Sequence, residues 1–343
     1  MLMTDGADRV QGAGPDEAAE ALVSQLAAFV DGELLLMKKT LGPDGDEKDF
    51  RALEAELSLC LRTLKELIDG GQIHPWEHVR LSPDEPESPP PPSGERPLRL
   101  GLFPTSANPL HWMHLLGGLL AICRFHLDKV VYIIASNDPR KEHLLPATVR
   151  HRLGQKVLQA FSPFLAYSAI SLGGSQPGEV NAFRLLQLNS RRKIQAFYLA
   201  GTDHCRRCDP TTGEPDTIQR LEDGVRGKLF GFDKTKNSLS MVFLDRGDPP
   251  RPVESFLEMK RIGPLPFTMS STLARDALSG RCPPRVLAGL PFTVFTTACA
   301  LGLWGASIPA LWGAHALSRL PRTGPQLDQG PVTPSLTESY AHV

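Results

Sequence analysis

From residue 98 onward the chain alternates short, uninterrupted apolar runs with stretches of helical periodicity. RLGLFPT, DKVVYIIAS, FLAYSAISL and KIQAFYLAGTD are the apolar runs, and helical patterns near 109–126, 147–161 and 178–191 separate them. MVFLDRG at 241–247 adds one more run. A strand with no polar face must be covered on both sides, and a helical crossover between successive strands makes them parallel. The expected fold is α/β: a Rossmann-like doubly wound parallel sheet from residue 98 to about 290, preceded by a helical region.

That helical region occupies residues 15–80, after a segment 1–14 that reads as disordered. EAAEALVSQLAAFVDGELLLMKK and DEKDFRALEAELSLCLRTLKELIDGG repeat apolar residues at three and four spacing, which predicts a helical hairpin ending at Gly70-Gly71. The Pro-rich stretch LSPDEPESPPPPSGERP, residues 81–97, reads as a linker and a domain boundary.

At the other end, residues 286–318 contain no Asp, Glu, Lys or Arg. The run exceeds the roughly 20 residues a bilayer span needs. Pro291, Pro309 and several glycines and threonines favour a packed hydrophobic tail helix over 291–318, with a membrane segment as the minority alternative. Residues 319–343 read as disordered.

Hydrophobic content of 41%, charged content of 22% and a net charge of -1 describe an ordinary globular chain. They give no support for a broad nucleic-acid or anionic-membrane surface. The six cysteines are scattered, which argues against a disulfide framework and for a reducing compartment. The start of the chain has neither a basic n-region nor an apolar h-region, so no secretory signal is expected and the cytoplasm is the expected location.

The most informative stretch is LGLFPTSANPLHWMHLLGGLL, residues 100–120. Asn108 is a good N-cap and Pro109 a good first helical residue, which would place His111 and His114 one turn apart at a helix start. Ligands of open parallel sheets bind beyond the carboxyl ends of the strands, where helix N-termini offer free N–H groups. Two ring donors there suit a polyphosphate. The plainer alternative is one histidine capping a loop and one filling space. A second signal is PFTMSSTLARDAL, residues 266–278. Ser270, Ser271 and Thr272 form a helix-start cluster with Arg275 one turn in, either another anion site or an ordinary cap.

Together these stretches resemble the cytidylyltransferase-like nucleotidyltransferase superfamily, with its (T/H)-x-G-H and S-S-T-x-x-R motifs. Within it the chain looks most like the nicotinamide or nicotinate mononucleotide adenylyltransferases. Ser106-Ala107-Asn108-Pro109-Leu110-His111-Trp112-Met113-His114 is similar to that family's S-F-N-P-(I/V)-T-x-M-H. SNDPRKEHLLPATVR sets Lys141 and Arg150 at its basic positions, and Gly201-Thr202-Asp203 matches its G-x-D. Three positions depart: Thr105 replaces a glycine, Ala107 an aromatic residue, and Val149 a histidine.

The resemblance implies transfer of AMP from ATP to a nicotinamide or nicotinate mononucleotide, with release of pyrophosphate, in NAD biosynthesis. His111, His114 and Arg275 are the implied catalytic residues. Ser106, Asn108, Lys141, Arg150, Gly201, Asp203, Ser270, Ser271 and Thr272 are the implied nucleotide-binding residues. Mg²⁺ would travel with the polyphosphate rather than in a protein cage. The alternatives are a different phosphate acceptor (phosphopantetheine or a phosphoalcohol) or a catalytically inactive nucleotide-binding module. A homo-oligomer is left open. Cys205 and Cys208 form a C-x-x-C without a second ligand pair nearby, so no metal-ligating residue is assigned.

Overall fold

The computed structural model describes residues 15–42, 47–87, 96–136, 144–245, 253–266 and 269–306. Lys141, the terminal segments 1–14 and 319–343, and the tail beyond residue 306 lie outside the described residues.

Two long helices come first, α1 (Pro15–Leu41) and α2 (Glu47–Asp69). The sheet domain then runs β1 (Leu98–Thr105), α3 (Trp112–Phe125), β2 (Lys129–Ile134), α4 (Ala147–Gln159), β3 (Leu165–Ser168), α5 (Gly178–Leu188), β4 (Ile194–Gly201), α6 (Thr217–Arg226), β5 (Ser238–Leu244) and β6 (Glu258–Ile262). Two short helices follow, α7 (Ser271–Leu278) and α8 (Phe292–Ala300).

The six strands form one sheet in the order β3-β2-β1-β4-β5-β6, and every pair is parallel. The chain winds outward from β1 through β2 to β3, then restarts at β4 on the other side of β1. The switch point falls between β1 and β4, where ligands of such sheets bind. All six residues of β2 are buried, as its unbroken apolar run requires. β6, with the sequence EMKRI, was not legible as a strand. It closes an edge, where exposed charge is tolerated and blunts edge-to-edge pairing.

The hairpin forms as expected, but it has no core of its own. Leu26, Val30, Leu34 and Met37 of α1 and Leu53, Leu57 and Leu64 of α2 belong to the same buried cluster as Trp112, Leu115 and Leu119 of α3 and Phe295 of α8. α2 lies on α3, where the Cys123 thiol reaches the Cys60 carbonyl at 3.6 Å. Each fully buried large apolar side chain is worth about 1.5–3 kcal/mol, so separating hairpin from sheet would expose a large part of the core.

The chain after α2 is strapped along the sheet: Asp128 accepts the His74 amide at 2.8 Å, and Asn189 exchanges two 2.9 Å hydrogen bonds with the backbone of Arg80. Ser168 donates to the Leu81 carbonyl at 2.6 Å.

The described part of the apolar tail is α8 and a following turn. Glu33 of α1 accepts from the Thr293 amide at 2.9 Å and from its hydroxyl at 2.6 Å, capping the start of α8. Burial pushes the Glu33 carboxyl up, and the Thr293 bonds oppose that rise. Among the described residues no helix is long and apolar enough to cross a membrane.

Candidate active site

β1 ends at Thr105, and residues 106–110 form a loop before α3. Asn108 and Pro109 therefore do not start the helix, contrary to the sequence expectation; His111 is the N-cap, with extended backbone. The reason is that the carbonyls of 108 and 109 are engaged elsewhere. Asn108 O accepts from Arg275 Nη1 at 2.9 Å, and Pro109 O accepts from Ser271 Oγ at 3.1 Å. The two motifs, more than 150 residues apart in sequence, are thus bonded directly to each other. The Asn108 side chain holds the Leu145 amide at 3.2 Å.

Moving the cap by three residues brings the two histidines closer. His111 sits at the cap and His114 at the third helical position, with ring centroids 3.7 Å apart. Both are buried, at 1% and 6% exposure. His114 Nδ1 accepts from the His111 amide at 3.4 Å, a reciprocal arrangement that resembles a capping box. With Nδ1 accepting, the proton of a neutral His114 ring lies on Nε2. Nε2 faces the Thr105 hydroxyl at 3.3 Å, at the carboxyl end of β1. The ring is backed by Phe103, and its carbonyl accepts from Tyr132 Oη at 2.7 Å. Gly118 makes that approach feasible, because a Cβ there would stand 2.3 Å from the same phenol oxygen.

Thr105 was legible only as a missing glycine. Its Oγ1 also accepts the Ala107 amide at 3.2 Å. Ala107 has φ of 46°, a left-handed conformation that costs a non-glycine residue about 1–2 kcal/mol. The threonine therefore holds both the strained loop and the ring beside it.

Ser270 caps α7, accepting the Leu273 amide at 3.1 Å. Arg275 donates from Nη2 to Thr272 Oγ1 at 3.0 Å, and its partial burial lowers its pKa from the ordinary arginine value. Thr272 is exposed and Ser270, Ser271 and Arg275 are half-buried, so this helix start opens to solvent beside the loop that precedes α3.

Arg150 lies behind the loop that follows β1. Its side chain is fully buried, and its guanidinium donates to the carbonyls of Leu145 at 2.9 Å, Ser106 at 2.7 Å, Ala135 at 2.6 Å and also Ser136. It clamps the ends of β1 and β2 together. Its neighbour His151 bonds Tyr167 Oη at 2.7 Å, and burial lowers its pKa to about 4, with the Arg150 charge adding to the effect.

Gly201 ends β4, the neighbour of β1, and Asp203 follows on a single 3-10 turn. Asp203 is exposed, 3.6 Å from His204 Nε2, and the topology brings this turn out next to the Ser106 loop. Arg206 pairs with Asp216 and Arg207 with Glu222, which ties the following loop to α6. Among the described residues no three His, Cys, Asp or Glu side chains converge as a metal site.

No protein-family model matches the chain. It is similar to the protein named "Probable nicotinate-nucleotide adenylyltransferase" of Maridesulfovibrio salexigens, 29% identical over 188 residues that cover 52% of this chain and 85% of that one. The proteins of the same name from Thermoanaerobacter and Thermus thermophilus are 27% and 28% identical over 111 and 113 residues. In those two alignments the chain spans only 53% and 58% of its relatives' length. Among solved structures, Plasmodium falciparum nicotinic acid mononucleotide adenylyltransferase in complex with APC has a TM-score of 0.41 at 13% identity, covering 61% of this chain and 98% of that one. Its complex with NaAD has a TM-score of 0.42 at 14% identity, with the same coverage.

Proposed function

We propose that this chain is an adenylyltransferase that joins AMP from ATP to nicotinate mononucleotide, with release of pyrophosphate. The observation that carries the reading is the direct bonding of the two motifs, Arg275 to Asn108 O and Ser271 to Pro109 O, at the switch point of the sheet. The sequence similarity to proteins named nicotinate-nucleotide adenylyltransferase supports the choice of acceptor over phosphopantetheine or a phosphoalcohol. Nicotinamide mononucleotide is the second acceptor to test.

In this reaction an oxygen of the acceptor phosphate attacks the α-phosphorus of ATP, and the bond to the β-phosphate oxygen breaks. The nucleophile is already an anion, so no covalent enzyme intermediate and no general base are required. What the protein supplies is position and charge. His114 Nε2–H, held by the His111 amide on the far side of the ring, donates to a non-bridging α-phosphate oxygen as charge develops there. His111 assists at the α- or β-phosphate. The open start of α7, with Ser270, Ser271, Thr272 and Arg275, receives the β- and γ-phosphates. Ser106, Asn108, Gly201 and Asp203 border the adenosine, and Lys141 adds charge to the triphosphate. Arg150 acts one step back, by fixing the backbone of Ser106. Mg²⁺ carried on the polyphosphate supplies further charge neutralisation.

The test is pyrophosphate release by the purified protein with ATP, Mg²⁺ and a panel of phosphate acceptors, beside a His114→Ala control. Release with nicotinate mononucleotide that disappears in the control is the expected result. Silence across the panel from protein that still binds ATP would overturn it in favour of a nucleotide-binding module.

A further inference from the structure

The amino ends of β1, β4, β5 and β6 surround a cavity of about 380 Å³. It lies at the opposite end of the sheet from the histidine pair and uses none of the residues assigned above. Three cations from three different elements line it: Arg99 of β1, Arg124 of α3 and Lys260 of β6. Phe125 and Phe197 stand beside them nearly parallel, with centroids 6.0 Å apart and planes 11° apart. Arg99 lies 5.7 Å from the Phe197 centroid, and Lys260 Nζ lies 5.7 Å from that of Phe125. Aromatic faces hold cations in place without neutralising them.

The counter-charge within the cavity is small. Among the described residues that line it, Glu258 is the one acidic side chain, and it already accepts from Lys260 Nζ at 2.5 Å and Ser240 Oγ at 3.1 Å. The carboxyl end of α3 points into the same region, and Arg99 Nη2 donates to Phe125 O at 2.6 Å. A helix end contributes about half a negative charge. Three cations therefore face one carboxylate and a partial charge. Arg99 Nε is buried with no hydrogen-bond partner among the described residues, a costly state for a guanidinium N–H.

We propose that this cavity is a second anion site that takes a phosphate group, free or carried by a small molecule. Charged donors from three different elements match a tetrahedral oxyanion better than a planar carboxylate. The volume leaves room for a small organic substituent beyond the phosphate.

The test is calorimetric titration of the full chain with inorganic phosphate, glycerol 3-phosphate and malonate, on the wild type and on single variants. Saturable phosphate binding should survive in His114→Ala and Arg275→Ala. It should weaken about tenfold in Arg124→Met and in Lys260→Met, the loss expected for one charge-assisted contact, and return in Lys260→Arg. Arg124 is exposed and Lys260 partly so, so an unchanged thermal midpoint checks that these variants fold. Tighter binding of glycerol 3-phosphate assigns the remaining volume to an organic group, and equal binding assigns the free ion. Phosphate affinity indifferent to Arg124 and Lys260, or lost with Arg275 instead, overturns the proposal. So does a preference for malonate, or no saturable binding at millimolar phosphate. The adenylyl-transfer reading is tested separately, by pyrophosphate release, so failure of one is distinguishable from failure of the other.

Discussion

The two helix starts that meet at the switch point are built differently. The start of α3 is sealed: His111 and His114 are 1% and 6% exposed, and the loop before them is clamped by Arg150 and Arg275. The start of α7 is open, with Thr272 exposed and Arg275 only partly buried. A sealed, prearranged donor acts on charge that appears during the reaction, in a place where water cannot compensate. An open set of hydroxyls and a guanidinium suits a charge that is present before the reaction and must enter and leave. The contrast predicts that α3 governs turnover and α7 governs nucleotide affinity.

The largest expected effect tests the sealed half. His114→Ala should lower kcat by about 10²–10³, the cost of losing one prearranged transition-state donor, with little change in KM for ATP. If KM rises and kcat holds, the division between the two helix starts fails.

Acid should also act first on the sealed side. His151 adjoins Arg150, and its pKa is lowered to about 4 from 6.5. The folded state therefore disfavours protonation of His151. Its contribution is fully present above pH 6.5 and is lost as pH falls towards 4. His151→Phe should flatten this limb of a denaturation curve measured from pH 7 to 4. An unchanged limb would show that other groups cause the acid loss.

Much of this arrangement was legible in the sequence, and the parts that were not share a cause. The strand runs, the hairpin, the histidine pair and the Ser270 cap are local patterns, and the structure shows each of them. What escaped depends on partners distant in the chain. Asn108 and Pro109 look like a helix start until Arg275 and Ser271 take their carbonyls. Arg150 reads as a basic position, and sequence does not show the four carbonyls that converge on it. That the hairpin completes the core on the α3 side rests on contacts between distant segments, which sequence does not show.

On the open side, Arg275→Ala should raise KM for ATP about tenfold, the worth of one charged hydrogen bond, and leave kcat within a few-fold. The same substitution frees the Asn108 carbonyl, so a kcat loss approaching that of His114→Ala would mean that the clamp matters more than the grip.

The smallest effect separates the ring from its support. Thr105 Oγ1 is bonded both to the Ala107 amide and to His114 Nε2, the atom assigned to the α-phosphate. In the proposed complex the α-phosphate accepts from that Nε2–H, and the hydroxyl is left holding only the loop. Thr105→Val keeps the shape and removes the oxygen, so it should lower kcat about threefold, within the range of one neutral hydrogen bond. Thr105→Ser should restore it. If Thr105→Val instead raises kcat, the hydroxyl competes with ATP for the ring, and the sealed half is held closed against its own substrate. If neither variant moves kcat, His114 is oriented by the His111 amide alone, and the reciprocal cap at the start of α3 is sufficient to aim it.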